Sequence, residues 1–230
     1  MRLAVFTSNQ PRHLALLDAL VDAGHEVHAA IEPKTRLAEE TSPVMAKYWA
    51  RVHNAETAIF GGRFCCSVPA FVLQAGELSR IPTLPSVLRH ADRYVVFSSS
   101  YIRPPMIDWL IAAGALNLHV GIAPEYRGSA PNAWAQYDGR PDLIGAQVQL
   151  LSKGLDAGLI LTEVRPPLDA GDYFTRSMRA VQLGIEAVVR QVSAPTGHAV
   201  KANDATQQLR YSRHADFTDD VAAKILAGSA

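Results

Sequence analysis

The chain has 230 residues, a length that fits one large domain or one domain with a small appendage. Lys plus Arg and Asp plus Glu each total 22, so the formal net charge is +0. That weighs against an affinity built on neutralising many phosphates or a charged membrane surface, and leaves only a local basic patch open. With 48% hydrophobic and 19% charged residues, the composition excludes an intrinsically disordered chain.

The first thirteen residues turn polar after a short apolar run and lack the long apolar region of a secretory signal. No apolar stretch approaches the ~18 residues of a membrane span. The expectation is a cytoplasmic chain with no membrane partner.

Residues 2–6 form a β-type run that ends in Thr7, Ser8 and Asn9. Pro11 opens an amphipathic helix, with Leu14, Leu17 and Leu20 on one face, and Gly24 stops it. Residues 25–31 are the next strand, completing a βαβ pattern. Ser42 and Pro43 supply a cap and first position for a helix to about Phe60. Residues 64–84 are less regular, with a strand near 68–73. Residues 84–91 read as helix, 94–97 as a buried strand, 104–113 as a helix ended by Gly114, and 115–120 as strand. A loop over 121–131 leads to a short helix. Residues 144–151 and 159–164 are two more strands flanking the segment 154–158. Residues 172–192 form the clearest long helix, 193–208 are polar, and 216–226 form a last helix with Thr218 as its candidate cap.

This alternation predicts an α/β chain, a Rossmann-like, mostly parallel sheet with helices on both faces. The expected division is a catalytic domain at 1–192 and a short C-terminal extension at 193–230. Cys65 and Cys66 are adjacent, which suits neither an ordinary disulfide nor a zinc-ligand spacing, so no metal site is expected. Apolar positions in the irregular middle or the tail are candidates for a homodimer contact.

Ligands of parallel α/β sheets bind at the carboxyl ends of the strands, which singles out residues 7–13, 98–103 and 117–127. In Leu116-Asn117-Leu118-His119, the two-residue strand period sends Asn117 and His119 to one face. Asp156 lies on a glycine-flanked loop between two strands. An amide donor, an imidazole and a carboxylate are the parts of an acyl-transfer site. Taken alone, an Asn-x-His on a strand is more often a structural pair, and a glycine-flanked Asp more often a turn residue.

The stretch from Asn117 to Leu161 holds Asn-x-His, a Pro-containing loop ending in Arg127-Gly128, and Gly154-x-Asp156-x-Gly158, in that order. In this it resembles the folate-dependent formyltransferases, which include glycinamide ribonucleotide, methionyl-tRNA and amino-sugar enzymes, and weaker similarity runs from Met1 to about Val192. The resemblance implies Asn117, His119 and Asp156 as the catalytic trio, 10-formyltetrahydrofolate as formyl donor, and no metal. It places the folate on Ser100, Tyr101, Ile102, Arg103, Lys153, Gly154 and Leu155. It offers Ser8, Asn9 and Arg12 for an acceptor phosphate, and Tyr126 and Arg127 for the acceptor itself.

Gly121 stands where the family often has Ser, and Ala123 where it often has Leu. The loop is therefore expected to differ in shape, which bears on the acceptor. The tail around Arg210, Tyr211 and Arg213 and the helix starting near Met45 resemble amino-sugar members. The short tail, not basic enough for the purpose, is not expected to grip tRNA. The expected partner is a small nucleotide-linked amino sugar rather than a nucleic acid. Hydrolysis of 10-formyltetrahydrofolate, and formylation of a glycinamide-ribonucleotide-type or other amine, are the alternatives.

Overall fold

A computed structural model describes residues 1–34, 42–81, 83–195 and 201–228. The part of the predicted polar segment at 196–200 lies outside the described residues. In chain order the elements are β1 (Arg2–Thr7), α1 (Pro11–Asp22), β2 (Glu26–Ile31), α2 (Pro43–Phe60), β3 (Ala70–Val72), α3 (Ser86–Arg89), β4 (Arg93–Val96), α4 (Met106–Ala112) and β5 (Leu116–His119). They continue with β6 (Tyr126–Gly128), α5 (Pro131–Tyr137), β7 (Ala146–Leu150), β8 (Ile160–Val164), α6 (Tyr173–Ser193), β9 (Arg210–Ser212) and α7 (Asp219–Ala227).

Seven strands form one sheet in the order β3-β2-β1-β4-β5-β7-β8. The first five run parallel, and β7 and β8 are antiparallel to their neighbours. Strand alternation explains the two-sided core. Leu3 and Val5 of β1 face a layer with α1, α2 and α6, while Ala4 and Phe6 face the opposite layer, which includes Leu88, Ile107 and Leu110. This is the expected Rossmann-like arrangement.

Local signals set the long helices. The Ser42 hydroxyl accepts a hydrogen bond from the Met45 backbone N–H at 3.1 Å, and Pro43 follows it at the first helical position. Asp172 caps α6 by accepting from the Thr175 backbone N–H at 2.9 Å. The predicted helix at 84–91 shrinks to the single turn of α3.

Two features depart from the sequence expectation. The predicted loop at 121–131 contains β6, which pairs in parallel with β9 of the tail, Arg127 opposite Tyr211. The tail also sends Val221, Ala222 and Ile225 of α7 into the same core as β1 and α6. Three-residue strands 84 positions apart in the chain carry no local pattern of their own, so only tertiary packing reveals the pair. Among the described residues no helix is long and apolar enough to cross a membrane.

Candidate functional site

The parallel strands end on one edge, where segments 96–102 and 117–120 meet the loop 151–158 around a cleft of about 560 Å³. Asn117, His119 and Asp156 all line it. β5 presents Asn117 half-buried and His119 at 5% exposure.

The imidazole is held at both nitrogens. Nδ1 lies 3.1 Å from Asp156 Oδ1, and Nε2 lies 3.2 Å from the Tyr126 carbonyl oxygen. Two acceptors around one ring favour the doubly protonated form. Burial alone would lower the His119 pKa, but the Asp156 carboxylate and the Tyr126 carbonyl outweigh it and raise the pKa above its ordinary 6.5. For Asp156 burial pushes upward, yet His119, the Gly128 N–H and Arg127 hold its pKa below the ordinary 3.8. Asp156 Oδ2 accepts from that Gly128 N–H at 3.0 Å, and its backbone sits in the left-handed region at φ 51°. The side chain is thus gripped at both oxygens, so the ring is oriented by a carboxylate that is itself fixed.

Gly121 shows why this loop departs from the resembled pattern. A Cβ there would lie 2.5 Å from Pro131 Cβ and 2.7 Å from His119 Nε2. Pro131 fills the space a hydroxymethyl group would need. A Gly121→Ala variant is expected to lose about 1 to 3 kcal/mol of stability by overpacking, read as a lower denaturant midpoint at unchanged slope.

Sequence reasoning missed the two glutamines of β7. The antiparallel register sets Gln149 opposite Asn117 and Gln147 opposite His119. Gln147 clamps the loop after His119: its Oε1 accepts from the Ala123 N–H at 3.0 Å and its Nε2 donates to the Ala123 carbonyl at 2.8 Å. Gln149 lines the cleft, and its buried Oε1 has no hydrogen-bond partner. The Gln-x-Gln alternation in 146–150 was the available signal; without the register it reads as an ordinary polar face.

The remaining predicted positions divide. Ser100, Tyr101, Ile102, Lys153, Gly154 and Leu155 line the cleft, and the Tyr101 hydroxyl donates to the Lys153 carbonyl at 3.5 Å. Arg103 is exposed and lies outside the lining; its guanidinium sits 5.9 Å from the Tyr101 ring centre. Arg12 also lines the cleft and pairs with buried Glu56 at 2.6 Å. Ser8 and Asn9 are not among the lining residues: the Ser8 hydroxyl donates to Asn9 Oδ1 at 3.4 Å, and Asn9 Oδ1 also accepts from the Lys34 N–H at 3.0 Å.

Tyr126 and Arg127 turn away from the cleft. The Tyr126 ring is 1% exposed and its hydroxyl donates to Asp138 at 3.2 Å; burial, then Asp138, push that phenol up to about 12. The Arg127 guanidinium donates to the Asn203 carbonyl at 3.2 Å. A strand rather than a loop at 126–128 explains both directions.

Lys34, Tyr48 and Trp49 also line the cleft, where Arg12 and Lys34 bring positive charge. Its cationic character is felt by His13, whose pKa is well below 6.5 through burial and then through Arg12 and Lys34. Among the described residues, no group of three or more His, Cys, Asp or Glu side chains could hold a metal ion.

Comparison with known proteins places this geometry. Residues 88–191 match the formyl transferase family model. A methionyl-tRNA formyltransferase of Anaeromyxobacter dehalogenans is 31% identical over 82% of this chain and 56% of its own length. The first three curated relatives are covered over 31%, 45% and 56% of their lengths, so the chain spans about half or less of each of these three. Among solved structures, a 4-N formyltransferase from Francisella tularensis is similar with a TM-score of 0.58 at 12% identity, over 98% of this chain and 87% of that one. A phosphoribosylglycinamide formyltransferase from Anaplasma phagocytophilum gives a TM-score of 0.55 at 17% identity, over 84% of this chain and 86% of that one. These likenesses in structure speak for the fold, the matched segment contains Asn117, His119 and Asp156, and the chain belongs to the folate-dependent formyltransferase family.

Proposed function

We propose that this chain moves a formyl group from 10-formyltetrahydrofolate to the amine of a small, phosphate-bearing acceptor, namely a nucleotide-linked amino sugar. The observation that carries the reading is the His119–Asp156 pair, fixed at 3.1 Å beside Asn117 on the wall of one cleft.

The cleft suits a folate at its Tyr101 end. Val96, Ile102 and Ile107 are apolar lining, exposed Tyr101 and Leu155 flank it, and the buried Gln149 Oε1 offers an unused acceptor. A flat ring with a polar edge fits that combination. When bound, 10-formyltetrahydrofolate supplies the electrophilic formyl carbon that the amine attacks.

The chain's own residues supply the rest. Asn117 is a donor for an oxygen gaining negative charge, and the His119 imidazolium is a second where its Nε2–H is shared between the Tyr126 carbonyl and that oxygen; one such preorganised donor is worth about 2.7 to 4 kcal/mol. Asp156 keeps the imidazolium populated to higher pH and holds the ring plane. His119 as imidazolium is also the group placed to protonate the donor nitrogen as its bond to the formyl carbon breaks, after which the neutral ring takes up the proton the acceptor amine loses. Walls around the cleft hold the reactants together, which lowers the entropic barrier.

The acceptor class follows from the cationic and aromatic lining of the cleft. Arg12 and Lys34 bring positive charge, and Trp49, 39% exposed, offers an aromatic face for a base. The Francisella protein of similar fold is a 4-N formyltransferase, which agrees with a nitrogen as the formyl acceptor. A Lys34→Met variant is expected to raise KM for a nucleotide-bearing amine by roughly tenfold, the worth of about 1.5 kcal/mol for one hydrogen bond to a charged group, with kcat little changed.

The curated relatives that are methionyl-tRNA formyltransferases favour a second reading, with charged initiator tRNA as acceptor. The net charge of +0 over these 230 residues argues for the small molecule. The deciding experiment presents dTDP-, UDP- and GDP-linked amino sugars, glycinamide ribonucleotide and methionyl-tRNA in parallel with the formyl donor. Mass gain by one carbonyl group on an amino-sugar nucleotide supports the proposal; formylation of methionyl-tRNA alone replaces it with the second reading.

A further inference from the structure

Both backbone groups that hold the His119–Asp156 pair belong to β6: the Tyr126 carbonyl at the ring's Nε2 and the Gly128 N–H at Asp156. The strand that β6 pairs with is β9 of the C-terminal extension. Contact there is close enough that a Cβ on Gly128, at φ 93°, would lie 2.1 Å from the Ser212 carbonyl oxygen. The Ser212 hydroxyl donates to the Ser129 carbonyl at 2.6 Å, and the Ser129 N–H donates back to Ser212 at 2.9 Å.

A second link reaches the Asp156 turn directly. Asn203 Nδ2 donates to the Asp156 carbonyl at 2.9 Å and to the Gly158 carbonyl at 2.8 Å. An amide nitrogen has two N–H groups, and both are used. The other side of the same amide, Oδ1, accepts from the Arg127 guanidinium of β6. One side chain thereby ties the turn that carries the carboxylate to the strand that carries its backbone donor.

We propose that Asn203 is a positioning residue for Asp156, and that the C-terminal extension is part of the catalytic frame rather than an appendage. The proposal rests on the formyl-transfer reading for its kinetic consequence, not for its structural one. Asn203 touches no reacting atom. It fixes the left-handed backbone of Asp156 by bridging the carbonyls of Asp156 and Gly158, and through it the plane of the His119 ring. Misplacing the carboxylate by as little as ~1 Å costs up to about 100-fold in rate.

The discriminating variant is Asn203→Asp, nearly identical in shape but unable to donate to either carbonyl. Asn203→Ser, neutral with one donor, is the milder partner, and Asp204→Asn, which alters the adjacent turn to Thr206 and a charge near Arg127 but leaves both Asn203 donor bonds in place, is the control. The expected result is a fall in kcat of roughly 10- to 100-fold for Asn203→Asp and a smaller fall for Asn203→Ser. KM for the donor should stay within about threefold, and Asp204→Asn should behave as wild type.

The independent readout is the His119 imidazole titration followed by NMR, which needs no substrate. In Asn203→Ser, which introduces no charge, it should move down toward 6.5 from the raised wild-type value. Wild-type kcat and an unmoved titration in both variants would overturn the proposal. A rate loss accounted for entirely by the unfolded fraction, measured by thermal melting, would overturn it as well. If the wild-type chain transfers no formyl group, the transfer reading fails, while the titration still decides the role of Asn203.

Discussion

His119→Ala is expected to reduce kcat by at least about 10³-fold, or about 4 kcal/mol, with donor KM changed by no more than a few-fold. The size follows from two functions lost together. An oxyanion-type donor is worth about 10² to 10³ in rate and a positioned proton-transfer group about 10² to 10⁴, and the two overlap because they reside in one ring. Stability should respond less, since the ring's partners, Asp156 and the Tyr126 carbonyl, keep Gly128 and water as alternatives. Steady-state kinetics beside a thermal melt check this. A variant that retains a tenth or more of wild-type kcat would remove His119 from the chemistry.

Asp156→Asn is expected to cost about 10² to 10⁴ in kcat, because an amide at that position no longer selects the imidazole tautomer or supports its positive charge. It also makes a directional prediction about pH. His119 is raised above 6.5 in the wild type, chiefly because Asp156 outweighs burial, so removing the carboxylate lets burial dominate. The alkaline limb of the kcat profile, where the imidazolium is lost, should therefore shift to lower pH in the variant.

Stability follows the same linkage. The raised His119 contributes stability that is complete below its unfolded pKa and is lost as pH rises through its folded one. The lowered Asp156 contributes stability present above its unfolded pKa and lost as pH falls. The difference in melting temperature between wild type and Asp156→Asn should accordingly be largest between the ordinary values, 3.8 and 6.5, and narrow on both sides. A difference that grows steadily above pH 7 would contradict the pairing.

Much of this site was legible before the fold was known, and the reasons are local. Period-two alternation put Asn117 and His119 on one face of β5, and both line the cleft. Ser42 with Pro43 announced α2 because capping chemistry is written within four residues, and the apolar positions of 172–192 announced α6. Asp156 was visible only through the resemblance, since a carboxylate between glycines is otherwise an ordinary turn.

What stayed hidden depends on distant partners. Nothing near Tyr126 or Arg127 indicates that residues 126–128 are a strand, because their partner lies at 210–212. The acceptor-contact expectation for those two residues therefore pointed into the cleft, whereas the side chains turn to Asp138 and Asn203. Gln149 escaped notice for a related reason. Its significance comes from standing opposite Asn117 in an antiparallel register that a reading of the sequence could not supply.

The central claim is that His119, Asp156 and Asn117 serve amine-dependent formyl transfer. Its most direct measurement is tetrahydrofolate formation from 10-formyltetrahydrofolate by the wild-type chain, with and without an amino-sugar nucleotide. Release that requires the amine, is matched by formylated product and vanishes in His119→Ala is the predicted result; release at the same rate without any amine, the mark of hydrolysis, would contradict it.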